Sequence, residues 1–379
     1  MTFKLFGNQG YLTADPKNVE SILSTNFEDW GLASRRPGLM AMLGEGIFTQ
    51  DGHPWRHSRA LLRRQFVRIY QQDSKIFDEH VEELIYKLRS ANGVVDLQPH
   101  LFRFTLATTT ALIFGESIFA LPGAETDTFE KAFDYASYIS AIRLRLADLE
   151  WIWKPTKFRA ACDTIKEYAS HFVRLALEDM EKNGEEAASE KHAFILELYK
   201  EMQDPVLVRD QLVHVLIAGR DTTACLMSWV FFLLVRHPET LAKLRNEIQH
   251  ITGGSHELSR AKISKMQYLR CVINEAQRLY PQLPVNVRVA TKTTFLPSGG
   301  GPDRRSPVLI PEGTGVELTL TELAEEFALT EASCAIVRII QTFPEIRLPP
   351  ETPSVPPGEE KQALTIVVIS ADGCKVLLD

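Results

Sequence analysis

The sequence Ala-Gly-Arg-Asp-Thr-Thr at 218–223 is the stretch of this chain whose residue types and spacing could do chemistry. It lies inside an apolar segment, 212–235, whose large side chains recur at helical spacing. A glycine in a helix interior costs about 1 kcal/mol relative to alanine, and a buried aspartate requires a partner. The segment therefore predicts one long buried helix with a polar break in its middle.

Two interpretations of this polar break stay open on the residues alone. In the first, Gly219 leaves room for a ligand beside the helix, while Asp221 and Thr222 supply an ionisable group and a hydroxyl that handle oxygen or protons. In the second, the helix only bends at Gly219, and Thr222 or Thr223 donates to a carbonyl one turn earlier. The hexapeptide by itself does not decide between a site and a kink.

Trp55 and Arg59 are four residues apart on a predicted helix over 54–66, hence on one face. An indole N–H and a guanidinium that project together could clamp a carboxylate. A cation–π contact between the two side chains is the simpler interpretation, and the pair alone favours it.

Glu275 and Arg278 are three residues apart on a predicted helix over 264–279. Ion pairs at this spacing are common on helix surfaces and contribute little there. The neighbouring residues include Val272 and Ile273, so we expect apolar surroundings in which the pair has a structural or functional role.

The composition limits the class of protein. With 379 residues, 45% hydrophobic and 24% charged, the chain is ordinary for a soluble globular protein of one large domain or two. A formal net charge of -7 without a basic run argues against nucleic acid as a partner. Five widely separated cysteines indicate neither a disulfide framework nor a structural zinc site. Arg220 and Asp221 interrupt the longest apolar segment, which we interpret as a core helix and not a membrane span.

The order of predicted elements gives the fold class, mainly α with small β-sheets. Asp15, Asp96 and Gly115 stand where helices should start or stop. Short strand-like pieces follow Pro281, and we predict a loop at 183–188, a loop at 298–303 and a terminal hairpin of 363–370 with 374–378. Helical patterning covers 16–25, 54–66, 74–88, 97–114, 129–153, 157–182, 212–235, 239–250, 264–279 and 327–343.

Taken together, these features resemble the cytochrome P450 family of haem-thiolate monooxygenases over nearly the whole chain. The sequence at 218–223 matches the family's oxygen-activation helix, 275–278 its ExxR motif, and Trp55 with Arg59 its WxxxR motif. The strand at 284–288 matches the one that brings an arginine to a haem propionate. The residues that flank these motifs are most similar to those of the fungal branch that hydroxylates alkanes and fatty acids.

The resemblance implies a single domain of the cytochrome P450-type fold over 1–379. It also implies haem as cofactor, dioxygen, an NADPH-dependent reductase as electron donor and an apolar long-chain substrate. Family members of this type belong to the endoplasmic reticulum membrane. The sequence begins without the family's N-terminal anchor, so we expect this chain to be cytosolic or peripherally bound to the membrane.

The resemblance assigns roles to individual residues by position. Asp221 and Thr222 would route protons to iron-bound oxygen, and Gly219 would leave space for oxygen and substrate. Glu275 and Arg278 would hold the scaffold beneath the haem. Three residues would bind the haem propionates: Trp55, Arg59 and Arg288.

One departure from the family pattern outweighs these matches. The family's iron ligand is a cysteine six residues before the position of Ala328, and here that position is Glu322. The segment between about 314 and 326 should carry the cysteine loop, but it is too short to do so. We interpret this gap as a missing exon. Thiolate ligation is what drives cleavage of dioxygen in this family. We therefore expect weak haem binding and an impaired monooxygenase; the alternative is a non-catalytic remnant that at most binds an apolar ligand.

Overall fold

Residues 2–5, 8–33, 35–71, 75–91, 93–120, 123–319, 326–352, 356 and 358–378 are described by the structure, a computed structural model. Helices account for most of this part of the chain. In chain order they are α1 Pro16–Glu20, α2 Arg35–Leu43, α3 Gly52–Gln71, α4 Lys75–Ser90, α5 Leu97–Phe114, α6 Gly123–Leu146, α7 Thr156–Asn183, α8 Glu185–Met202, α9 Pro205–Leu234, α10 Pro238–Thr252, α11 Arg260–Ile263, α12 Gln267–Leu279 and α13 Glu326–Thr342.

The strands of the described residues are short and form small sheets. They are β1 Thr2–Leu5, β2 Asn8–Thr13, β3 Trp30–Gly31, β4 Val94–Asp96, β5 Val285–Ala290, β6 Thr294–Gly300, β7 Ser306–Ile310, β8 Gly315–Thr319, β9 Gln362–Leu364, β10 Val368–Ser370 and β11 Lys375–Leu377. The largest sheet has the order β1-β2-β8-β5-β3, with β2 and β8 parallel and its other neighbours antiparallel. The predicted class, mainly α with small β-sheets, is confirmed.

The predicted helix ends are governed by local chemistry. The side chain of Asp15 accepts the N–H of Lys17 at the start of α1, and that of Asp96 accepts the N–H of Gln98 at the start of α5. Gly115 ends α5 with φ 80°, a left-handed conformation that glycine adopts at low cost. All three predictions are confirmed because capping depends on residues only two to four positions apart.

Helix α9 runs through the middle of the described core. Its N-terminal part, up to Ile217, packs in a hydrophobic cluster with α5, α6, α7 and α8. Its C-terminal part, from Ala224, packs in a second cluster with α4, α10, α12 and α13. The polar sequence at 218–223 therefore lies at the seam between the two clusters. The predicted long buried helix is confirmed, although it begins earlier than predicted, at Pro205.

By length and composition α9 is also a helix that could cross a membrane, and among the described residues no other helix is. The apolar part of α9 is mostly buried within the protein. Core helices of soluble proteins pass the same test, so α9 is weak evidence for a membrane span.

Two predictions about local structure are wrong because tertiary packing overrides local polarity. The polar run at 183–188 was expected to be a loop, but α8 begins inside it at Glu185. Residues further along this helix, including Phe194, Ile195 and Leu198, are buried in the first cluster. The predicted loop at 298–303 likewise overlaps β6, which extends to Gly300 and pairs with β7.

The terminal hairpin was also predicted with the wrong partners. Strand β10 pairs with β9, so that hairpin turns between Leu364 and Val368. Strand β11 instead pairs antiparallel with β4, nearly 280 residues earlier, placing Lys375 opposite Asp96. A pairing over such a distance leaves no local sequence signal.

Candidate functional site

The middle of α9 is open along one narrow stripe. From Asp210 to Phe232 its residues are buried except for Ala218, Gly219 and Thr222, which are half-buried and share one helix face. The hydroxyl of Thr222 donates to the carbonyl of Ala218 at 2.6 Å, as in the kink interpretation. The stripe nevertheless leaves this turn of a core helix less buried than the turns on either side of it. The proton-routing role of Thr222 stays a prediction.

Gly219 allows close approach of α9 to α5. A Cβ atom at this position would lie 2.6 Å from Oγ1 of Thr109, so a side chain here would require Thr109 to shift. Nearby, the hydroxyl of Thr105 donates to the carbonyl of Arg220 at 2.8 Å. The absence of a side chain thus has a packing reason, and the predicted space for a ligand at Gly219 stays a prediction.

Asp221 lies on the buried side of α9 and is paired. Its Oδ1 accepts from Arg220 at 2.9 Å, and the same guanidinium donates to Asp134. Arg220 also lies between the rings of Phe102 and Phe133, at 5.2 and 4.9 Å from their centroids. Burial raises the pKa of Asp221 to about 6, and the charge of Arg220 opposes that increase. The structure does not bring this carboxylate to the same face as Thr222, so its catalytic role stays a prediction.

A second polar group on α9, which sequence reasoning missed, fixes the loop that leads into α3. Oδ2 of Asp210 accepts the N–H of Glu45 at 2.9 Å. Nδ1 of His214 accepts the N–H of Phe48 at 3.2 Å, while its Nε2 lies 3.4 Å from the carbonyl of Gly44. Burial lowers the pKa of His214 to about 3, so its ring is neutral at physiological pH.

The same face of α9 contacts α3 directly. Nε2 of Gln211 donates to the hydroxyl of Ser58 at 2.6 Å, and that hydroxyl donates to Gln50 at 2.7 Å. The three side chains are buried. Polar residues at 210, 211 and 214 in an apolar helix were the sequence signal for this contact, because they are spaced along one helix face. They set the position of α3 relative to the open stripe of α9.

Trp55 and Arg59 project together from α3, as predicted. The guanidinium carbon of Arg59 lies 5.4 Å from the centroid of the Trp55 ring, so the structure contains the cation–π contact. The Trp55 ring also packs against Phe27, with centroids 4.9 Å apart. Their predicted role in binding haem propionates stays a prediction.

Arg288 lies on β5 beside a second arginine that sequence reasoning missed. Nη1 of Arg288 donates to Oδ1 of Asn286 at 2.6 Å, and Nη1 of Arg35 donates to the same oxygen at 3.0 Å. The guanidinium carbon of Arg35 lies 5.9 Å from the centroid of the Phe48 ring. That ring is 5.5 Å from the ring of His214. Contacts thus connect β5 to α9 through Arg35 and Phe48.

Glu275 and Arg278 form a bidentate ion pair on α12, with both nitrogen–oxygen distances 2.7 Å. The expectation of apolar surroundings is wrong, because their side chains are 54% and 62% exposed. The apolar neighbours Ile273 and Ala276 are buried on the opposite face of this helix. A surface pair adds little stability, and the predicted role beneath a haem stays a prediction.

The cysteines of the chain do not fit the axial thiolate of the haem that the resemblance implies. The family takes this ligand from the segment before α13, where this sequence has no cysteine. Cys162, Cys225, Cys334 and Cys374 are buried, and burial raises the pKa of each thiol, to about 11 for Cys162 and about 12 for Cys334. Cys271 is exposed on α12, on the same face as Glu275.

The predicted ligand position, Glu322, lies outside the described residues, and no cysteine occurs in the sequence 320–325 around it. Within the described ranges, no group of three or more His, Cys, Asp or Glu could hold a metal ion. The indole and guanidinium donors described above have the right chemistry for haem carboxylates. The donors present therefore suit the carboxylate edge of a haem, while the position of the family's cysteine ligand is occupied by Glu322.

Comparison with known proteins identifies the family. The sequence model named "Cytochrome P450" matches residues 1–328. A cytochrome P450 of Arthroderma benhamiae is 36% identical, with 97% of this chain and 81% of that protein covered. Cytochrome P450 52A5 of Candida maltosa is 35% identical (92% and 77% covered), and cytochrome P450 52A1 of Candida tropicalis is 34% identical (96% and 78% covered). The first alignment spans 420 residues, longer than this chain, so that relative carries residues within it that this chain lacks.

The fold agrees with this assignment. The crystal structure of the cytochrome P450DA heme domain superposes with a TM-score of 0.79 at 17% identity, with 100% of this chain and 89% of that chain covered. The family and its fold imply haem iron as cofactor, and the family uses dioxygen and electrons from a redox partner. The sequence match over 1–328 and the relatives above 30% identity together establish that this chain belongs to the cytochrome P450 family.

Proposed function

We propose that this chain is a long-chain alkane or fatty-acid hydroxylase of the cytochrome P450 family in which the monooxygenase reaction is impaired. The placement of the cysteines carries the proposal. Four of the five are buried with raised pKa values, and none lies in the short segment before α13. Without a thiolate, the electron donation that this family uses to cleave dioxygen is lost.

The substrate class is supported by the fungal relatives and by apolar surface on β5. Val285 and Val287 are 41% and 38% exposed and alternate along the strand with Asn286 and Arg288. Exposed apolar side chains on this strand would suit a hydrocarbon chain. We further propose one domain over 1–379, a reductase as electron donor and peripheral association with the endoplasmic reticulum.

Haem titration of the full chain tests the impairment. We expect weak haem binding and no thiolate-type carbon monoxide spectrum after reduction, since a carboxylate such as that of Glu322 is a harder, less donating ligand. A matched control replaces 314–325 by the corresponding segment of the Candida maltosa relative, and this chimaera should gain the thiolate-type spectrum. That spectrum in the unchanged chain would refute the proposal.

Bound haem distinguishes the impaired enzyme from the alternative, a non-catalytic remnant. The same 314–325 region is too short for the family's cysteine loop, which is the observation that favours this alternative. Purification after expression with added haem should leave no haem absorbance if the chain is a remnant. Binding of dodecane or dodecanoic acid to haem-free protein would then show whether the chain still binds an apolar ligand. Sequencing the transcript across 311–327 would decide whether an exon is missing.

A further inference from the structure

We propose that a small cavity between α4, α5 and the turn at 118–120 is a binding site for a small inorganic anion, chloride. The proposal goes beyond the hydroxylase function and does not depend on it, because none of the side chains that line the cavity belongs to the candidate functional site. The ligand class follows from the charges that face the cavity and from its volume.

Two helices contribute polar side chains to this cavity. His80, Glu83 and Lys87 line it from α4, and His100 and Arg103 line it from α5. Residues three and four positions apart share one face of a helix, so each helix presents a polar edge. The cavity has a volume of about 20 Å³. A single water molecule needs about 10–15 Å³, so there is room for one small ion.

The first observation is a buried polar atom that lacks a partner. His80 is 8% exposed, and its Nδ1 has no hydrogen-bond partner among the described residues. Burial lowers the pKa of His80 below its usual 6.5, against the charges of Glu79 and Glu83, so the ring is neutral at physiological pH and carries one N–H. Leaving a buried polar group unpaired costs free energy. An acceptor bound in the cavity would supply the missing partner.

The second observation is the convergence of two cations on the ring of Phe119. Nζ of Lys87 and the guanidinium carbon of Arg103 each lie 4.9 Å from its centroid. Lys87 pairs with Glu83 at 2.5 Å. Arg103 pairs with Glu130 at 3.3 Å. An ammonium has three donor hydrogens and a guanidinium has five, more than one ion pair each requires. An anion in the cavity can therefore accept from both cations while both pairs persist.

The charge balance of the lining favours an anion over a metal ion. Imidazole and carboxylate groups are common metal ligands, but within the described ranges no group of three His, Cys, Asp or Glu could hold a metal ion. Burial and the charge of Lys87 lower the pKa of His100, against the charge of Asp96, so this ring is neutral as well. Two cations and one carboxylate then give the lining one net positive charge. Such a lining attracts an anion and repels a metal ion.

Titration of the full chain with chloride, followed by broadening of the chloride NMR signal, measures this binding. Sodium gluconate keeps the ionic strength constant, and its anion is much larger than the cavity. The first variant, Glu83→Gln, removes the carboxylate that competes for Lys87. Its control, Glu178→Gln, removes the same charge from an exposed position on α7. The second variant, His80→Leu, removes the imidazole and keeps a side chain of similar size.

We expect Glu83→Gln to bind chloride about tenfold more tightly, a gain that a folding defect would not produce. His80→Leu should bind about tenfold more weakly, the loss typical of one hydrogen bond to a charged group. The Glu178→Gln control should match the unchanged chain. If neither the unchanged chain nor Glu83→Gln shows saturable broadening, the cavity holds only water and the inference is overturned. Broadening that neither Glu83→Gln nor His80→Leu alters would place the anion elsewhere and overturn it equally.

Discussion

Glu331 on α13 gives the stability of this protein a pH dependence that one substitution should remove. The residue is 2% exposed, and its Oε1 accepts from the hydroxyl of Thr108 on α5. Burial raises the pKa of this carboxyl from 4.5 to about 8, against the effect of the Thr108 hydrogen bond, which favours the ionised form. The folded protein therefore keeps a proton on Glu331 at neutral pH.

The direction of this pH dependence follows from comparing proton binding to Glu331 in the folded and the unfolded chain. Below pH 4.5 both bind the proton, and the contribution to stability is fully present. Between 4.5 and about 8 the unfolded chain has lost a proton that the folded chain retains. The free energy of unfolding then falls by about 1.36 kcal/mol per pH unit, or about 5 kcal/mol over the whole interval. Such a loss is comparable with the total stability of many proteins.

The substitution Glu331→Gln keeps a hydrogen-bonding side chain of similar size that does not titrate. Urea denaturation followed by tryptophan fluorescence at pH 5, 6, 7 and 8 should show a much flatter profile for this variant than for the unchanged protein. The variant should gain relative stability toward pH 8. The control Glu239→Gln removes the same charge from an exposed position at the start of α10. Identical slopes for Glu331→Gln and the unchanged protein would refute the reasoning.

Two further stability changes follow from close contacts. Gly44→Ala should lower the free energy of unfolding by about 3 kcal/mol, because its Cβ would lie 2.1 Å from Oδ2 of Asp210 at φ +72°. Gly52→Ala, at φ +60° with open space around it, should cost only about 1 kcal/mol, and equal costs in urea denaturation would contradict the packing argument. Asp221→Asn should cost about 3 kcal/mol, because it neutralises one carboxylate partner of the buried Arg220. An unchanged thermal midpoint would show that this pair does not stabilise the fold.

The sequence by itself determined most of the helices, three of their caps and the family. Asp15, Asp96 and Gly115 act over a few residues, so their effects can be predicted without the fold. The apolar periodicity of 212–235 likewise determined a buried helix, and motif spacing determined which residues to examine at the site.

Tertiary structure alone decided what those residues face. Only packing placed Gly219 against Thr109, exposed the Glu275–Arg278 pair and joined Arg35 to Asn286 across 251 residues. The physical reason is range: capping and periodicity depend on neighbours in the chain, while burial and charge pairing depend on elements brought together from distant parts of it.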